Sequence, residues 1–296
     1  MTGHLLHIGY PKTASNFLRL WFGAHPQLAF SEGGIAGFHN VYEVVRAAAR
    51  PAGDVRYHVT SSESLATPHP AVGRGEGFTR PVEVRMPQAQ AQACALLAGL
   101  FPNARVLIVT RGFRALIPSL YSQALRTGRT YPFAEFCTNL ELGVHENRDG
   151  WDYSSVIAMY EQAFGAANVL VLPYELLRDD AAAFTGAIES WLGLHHLPPL
   201  AQRPNPALSP AELYWYRALT LAAARTRSSR LEARVTRAAL RNELRAPIRL
   251  LQRLRPRARI DIPPPPESLV EAYRGRGEAL RGRPLFEKYA ADYLID

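Results

Sequence analysis

The stretch HLLHIGYPKTASNFLRLWF, residues 4–22, decides how the chain is read. Leu5, Leu6 and Ile8 form a short apolar run that reads as a buried strand. Gly9 to Asn16 reads as a tight loop of small and polar residues. Phe17, Leu18, Leu20, Trp21 and Phe22 then supply the apolar side of a helix that begins at the loop. A strand, a small-residue loop and a helix N-terminus make an anion cradle, because backbone N–H groups converge there and the helix dipole favours negative charge. The loop carries Lys12 in a chain that otherwise uses arginine. Of 34 basic residues, only Lys12 and Lys288 are lysines. A compact ammonium at that point suits a phosphate or sulfate oxygen. The plain alternative is a solvated lysine in an ordinary strand-to-helix turn.

A nucleoside-triphosphatase loop needs G-x-x-x-x-G-K-[ST] and an acid at another strand end to hold magnesium. Here Gly9 stands only three residues before Lys12, and no glycine precedes the lysine, so the loop is too short to wrap a triphosphate in that way. A second strand, Val106 to Val109 within ARVLIVTRGFRALIPSLY (104–121), ends in Thr110-Arg111 and runs into a helix carrying Ser119. Where a triphosphatase places an aspartate, this strand delivers a cation, so an anion would be held by side chains without a metal.

Taken together, the two segments resemble the sulfotransferases. Pro11-Lys12-Thr13-Ala14-Ser15-Asn16 is similar to the family's P-K-[ST]-G-T-[TS] segment, with Ala14 in place of the usual glycine and Asn16 in place of the last hydroxyl residue. Arg111 and Ser119 stand at the eight-residue spacing that the family uses for the 3′-phosphate of its donor, 3′-phosphoadenosine 5′-phosphosulfate (PAPS). The resemblance covers roughly Leu5 to Leu219. It implies a parallel β-sheet flanked by helices on both faces, with PAPS lying across the carboxyl ends of the strands and no metal. It assigns the donor to Lys12, Thr13, Ala14, Ser15, Asn16, Arg111 and Ser119. Tyr174, in a segment resembling the family's V-x-x-Y-E-x-L, is either a platform for the donor adenine or a core aromatic. For the general base, the resemblance implies Glu63, in Ser61-Ser62-Glu63-Ser64-Leu65 after the strand VRYHVT (55–60), with His58 as runner-up because cytosolic members of the family use a histidine. Glu63 is equally readable as a loop carboxylate, and His58 as a packed strand residue. Arg203 and Asn205 are further, weaker candidates for the 3′-phosphate.

The rest of the chain fills in around these turns. At 296 residues with 47% apolar content it can build a large α/β core. No leader pattern and no apolar run of membrane-spanning length is visible, and Cys94 and Cys137 are too few for a disulfide framework or a zinc site. A reducing cytoplasm is the expected compartment. A short strand is expected near Leu28–Phe30 and a helix over Val41–Arg50, with His39 at its start either capping it or reaching the site. Thr67 to Pro87, carrying Arg74, Arg80 and Arg85, reads as a surface excursion suited to a flap. Helices are expected over Pro87–Phe101, from Pro132, over Trp151–Gly165 and over Ala181–Leu194, and a strand over Asn168–Leu172. Ser209, Pro210 and Glu212 spell a capping box.

The C-terminal part is basic. Arg227, Arg230, Arg234, Arg237, Arg241, Arg245, Arg249 and Arg253 recur at three- and four-residue steps, a stripe along a helix that Pro247 should kink or divide. Most of the net charge of +8 comes from here. Such a helix either lies on an anionic membrane surface or acidic glycan, peripheral to the inner membrane face, or is a solvated face. No nucleic-acid reader motif accompanies the charge. Ile262–Pro266 reads as a stiff linker and Glu267–Asp296 as a closing helical segment. The expected organisation is a catalytic region over 1–225 and a helical, arginine-rich extension over 226–296. The expected activity is sulfuryl transfer from PAPS to a hydroxyl or amine of a carbohydrate, lipid or small natural product. The alternatives are a P-loop-type small-molecule kinase and a non-catalytic protein of anionic membranes.

Overall fold

A computed structural model describes residues 2–35, 53–68, 85–198, 200, 207–226 and 228–295. The expectations for His39, the 41–50 helix, Arg74, Arg80, Arg203, Asn205 and Arg227 fall outside those residues. The chain divides into two compact units. One comprises Met1–Gly112, Gly143–Pro204 and Tyr273–Asp296, and the other Phe113–Leu142 and Asn205–Ala272. This differs from the boundary expected between 225 and 226. Two separated stretches build the second unit together, and the last residues return to the first, which a linear reading of charge does not show.

The first unit is built on five strands: β1 (Gly3–Ile8), β2 (Leu28–Phe30), β3 (Tyr57–Ser62), β4 (Arg105–Thr110) and β5 (Val169–Pro173). Their order across the sheet is β2-β3-β1-β4-β5, and every neighbouring pair is parallel. Parallel strands need crossovers and are covered on both faces, which is why β4 and β5 are nearly continuous apolar runs. Alternate residues share a face. Leu5, Val59, Leu107, Val109 and Leu172 pack in one cluster with Phe17, Leu18, Trp21 and Phe22 of α1 (Ser15–Ala24) and with Phe184, Ile188 and Leu192. Leu6, Val106 and Ile108, also without exposed surface, point to the other face. After β3 in the chain comes α2 (Met86–Leu100), which packs on the later helix α5 (Tyr153–Phe164), itself packed on β4 and β5. Beyond β5 come α6 (Tyr174–Asp179) and α7 (Ala181–Leu192), the helix that supplies Phe184 and Ile188. The closing 273–295 segment buries Tyr273, Leu280, Phe286, Tyr289 and Tyr293 in the same unit.

The second unit is helical. It contains α3 (Phe113–Arg126), most of α4 (Phe133–His145), α8 (Pro210–Arg225), α9 (Ser229–Leu240), α10 (Arg245–Leu254) and α11 (Glu267–Ala272). Tyr121, Leu125 and Leu213 form one apolar cluster, and Tyr216, Ala239 and Ile248 another. The capping box forms as written: Ser209 accepts from the Glu212 N–H, and Glu212 accepts from the Ser209 N–H. The arginine-bearing stretch is divided, but not at Pro247. The break comes at 241–244, where Asn242 takes a left-handed conformation (φ 61°), and Arg126 donates to the carbonyls of Ala239 and Leu240 that end α9. Pro247 then sits in the first turn of α10, where its missing N–H has no helical partner to lose. No described helix is long and apolar enough to cross a membrane.

Candidate active site

The carboxyl ends of the strands carry the candidate residues. β1 ends at Ile8, and the loop turns back on two residues with positive φ, Lys12 (68°) and Ala14 (73°). Alternation of left- and right-handed residues aims successive N–H groups to one side, the geometry of an anion-binding nest. The loop is held from inside. The Thr13 hydroxyl, fully buried, donates to the Tyr10 carbonyl at 2.6 Å, so this side chain shapes the loop. Tyr10 itself is buried between Trp151, stacked at 5.3 Å, and Tyr153, edge-on at 5.1 Å. Burial raises the Tyr10 phenol well above its ordinary pKa.

The N-terminus of α1 has no side-chain cap and no acidic residue in its first turn, so its leading donors are not consumed within the helix. Ser15, the first residue of α1, buries an Oγ that has no hydrogen-bond partner among the described residues. Asn16 is exposed, and its Oδ1 accepts from Arg19. A left-handed loop, an uncapped helix end and a buried, unsatisfied hydroxyl together fit an anion.

β4 lies beside β1, and its end delivers Arg111 to this loop. Arg111 Nη1 donates to the Lys12 carbonyl at 3.1 Å. The guanidinium lies over the Tyr174 ring at 4.6 Å, where α6 starts after β5. The Tyr174 ring is therefore the platform of Arg111. The Arg111 backbone is fixed as well. The Tyr153 hydroxyl donates to its carbonyl at 2.8 Å and accepts from its N–H at 3.3 Å. One residue on, the Gly112 N–H donates to Glu175 Oε1 at 3.1 Å, and the Tyr293 hydroxyl donates to Glu175 Oε2 at 2.8 Å while accepting from Thr110. Glu175 is wholly buried. Nothing local in the sequence singles out Glu175, because its hydroxyl partner is a tyrosine 118 residues later.

At the end of β3 the register pairs Ser62 with Ile8, so Glu63 begins a short 3₁₀ turn next to Gly9. His58 is not brought there. It pairs with His4, four residues earlier in the same register and roughly 13 Å back along the strand. His7 stands one residue before the end of β1, at the loop end of that strand. It is fully buried, its Nδ1 lies 2.8 Å from Ser61 Oγ, and burial lowers its pKa to about 3. Ser119 lies on α3, in the second unit.

The profile of the sulfotransferase family matches residues 5–199, about two thirds of the chain. The chain belongs to the sulfotransferase family. The comparison with curated proteins finds no relative. Among solved structures, the chain is similar to a sulfotransferase from Alicyclobacillus acidocaldarius at 18% identity and a TM-score of 0.48, covering 79% of this chain and 96% of that one. It is also similar to mouse sulfotransferase SULT7A1 complexed with PAP, at 13% identity and a TM-score of 0.38, covering 74% of this chain and 63% of that one. The family match takes in β1 to β5 and with them Lys12, Glu63, Arg111, Tyr174 and Glu175. In this sulfotransferase Ala14 holds a left-handed backbone in the loop after β1.

Proposed function

We propose that this sulfotransferase uses PAPS and transfers its sulfuryl group to a hydroxyl or amine. The observation that carries the reading is the 3.1 Å bond from Arg111 to the Lys12 carbonyl, which joins a guanidinium to an ammonium-bearing anion loop at one end of the sheet. The loop amides, Ser15 Oγ and Lys12 hold the 5′-phosphosulfate. Arg111, braced on Tyr174, takes the 3′-phosphate. When bound, the donor supplies an activated sulfuryl group. Glu63 takes the proton from the acceptor as its oxygen or nitrogen bonds to sulfur. Lys12 and the α1 N-terminus offset the negative charge left on the departing bridging oxygen. The acceptor class is set by residues that these turns do not name.

Radiolabelled sulfate transfer from PAPS to a panel of sugar, lipid and phenolic acceptors tests the reading. Incorporation that vanishes in Lys12→Ala supports it. Near-normal rates in Lys12→Ala, or turnover only with ATP and Mg²⁺, would overturn it.

A further inference from the structure

The helical unit carries a surface that the transfer chemistry does not use. Helix α10 buries Ile248 completely against Tyr216 and Ala239, which fixes its inner side. At 100° per residue, Leu250 and Leu254 fall on the side turned away from Ile248, one helical turn apart. They are 62% and 75% exposed. Arg249 and Arg253, also one turn apart and exposed, flank them, and the following turn adds exposed Arg255 and Arg257. Arg230, Arg234 and Arg237 of α9 in the same unit fall within one narrow stripe of the helix surface, continued by Arg241 just after its end, and all four are exposed.

We propose that α10 and the turn after it dock on an anionic lipid bilayer, with Leu250 and Leu254 entering the headgroup–acyl boundary and Arg249, Arg253, Arg255 and Arg257 meeting the lipid phosphates. Charge complementarity selects an anionic partner. The leucines select a bilayer over a free polyanion, since an acidic glycan would engage the arginines and leave both leucines in water. Arginine suits the boundary because its aliphatic stem lies along the apolar layer while the guanidinium reaches the headgroups. Each arginine at such a surface contributes roughly fivefold to partitioning, and each inserted leucine on the order of tenfold.

The test is co-flotation of the full chain with phosphatidylcholine vesicles, with and without phosphatidylglycerol, at low and high salt. The wild-type protein is expected to float only with the phosphatidylglycerol vesicles and to be released by salt. Leu250→Ser with Leu254→Ser, both at exposed positions, is expected to keep its thermal unfolding temperature and to lose at least about tenfold in vesicle affinity. Replacing the four arginines by glutamine is expected to abolish binding. The proposal is overturned if the wild-type chain ignores phosphatidylglycerol vesicles. It is also overturned if the leucine pair floats like the wild type while the arginine variant does not, because the surface would then be a polyanion site, which retained heparin binding by the leucine pair would confirm.

Discussion

Arg111 and Lys12 stand 99 residues apart in the chain and meet through one hydrogen bond, Nη1 to carbonyl oxygen, at 3.1 Å. The contact ties the end of β4 to the loop after β1, and the two strands are parallel neighbours in the sheet. A charge-assisted bond to a carbonyl is stronger than a neutral one and orients the guanidinium, which also lies over the Tyr174 ring. Tyr174→Leu should therefore weaken binding of PAP through Arg111, by several-fold, while leaving binding of 5′-AMP nearly unchanged. Calorimetry of the two nucleotides on the variant decides it, and an equal loss for both would mean that the ring contacts the base directly.

Ala14 pays for a left-handed backbone. A residue with a Cβ there costs about 1–2 kcal/mol, and glycine returns about 0.5–1 kcal/mol of that as extra entropy in the unfolded chain. Ala14→Gly should accordingly be neutral to stabilising by up to about 1 kcal/mol, and Ala14→Val clearly destabilising. Thermal unfolding of the pair checks the sign. A glycine variant as unstable as the valine one would show that the turn is not strained.

Gly9 is required by contact. A Cβ at this position would come within 2.8 Å of His7 Cε1 and 3.1 Å of Ser15 Oγ, both in buried side chains. Gly9→Ala should cost about 1–3 kcal/mol and push the Ser15 hydroxyl out of the anion cradle. Denaturant unfolding and PAP binding measured on the same variant should fall together. Unchanged stability would show that the neighbours give way.

His7 makes the fold sensitive to acid. Its folded pKa is lowered to about 3 from an ordinary 6.5, with burial as the main cause, so the unfolded chain binds the proton that the folded chain refuses. Stability from this group is intact above pH 6.5, falls as pH drops below that, and stops falling near 3. Between pH 7 and pH 5 the loss should be on the order of 2 kcal/mol. His7→Gln should lower stability at pH 7 and flatten this slope. A slope unchanged in the variant would assign the acid sensitivity elsewhere.

The Glu175 carboxylate holds the Gly112 N–H and the Tyr293 hydroxyl in a buried setting. Tyr293→Phe removes one donor and leaves the Thr110 hydroxyl and Glu175 Oε2 short of a partner, which should cost about 1–3 kcal/mol. Because the same carboxylate fixes the residue after Arg111, PAP affinity should drop as well. Urea unfolding with PAP titration reads both, and a stability loss without any affinity change would confine the cluster to a packing role.

Local chemistry made much of this legible. Leu5-Leu6-His7-Ile8 followed by Gly9 and Lys12 could be read as strand, loop and helix because the apolar run, the turn residues and the helix face are contiguous. Arg111 was legible for the same reason. Glu175 was not, since a carboxylate after Tyr174 looks like a solvated helix residue until Tyr293 is folded back onto it. The place of His58 could not be read from sequence, because only the β1–β3 register shows that it sits at the start of its strand, opposite His4, while Glu63 follows the end. The break in the arginine stretch was expected at Pro247 because proline disrupts a helix interior. The chain instead breaks upstream and starts afresh, so the proline falls in a first turn.

The most direct test of the account compares PAP with 5′-AMP, which lacks the 3′-phosphate, by calorimetry on wild-type protein and on Arg111→Ala. The wild-type protein is expected to prefer PAP on the order of a hundredfold, as a charge-assisted guanidinium–phosphate pair would give, and Arg111→Ala is expected to lose that preference while binding 5′-AMP as before. A preference for PAP that survives in Arg111→Ala would contradict the account.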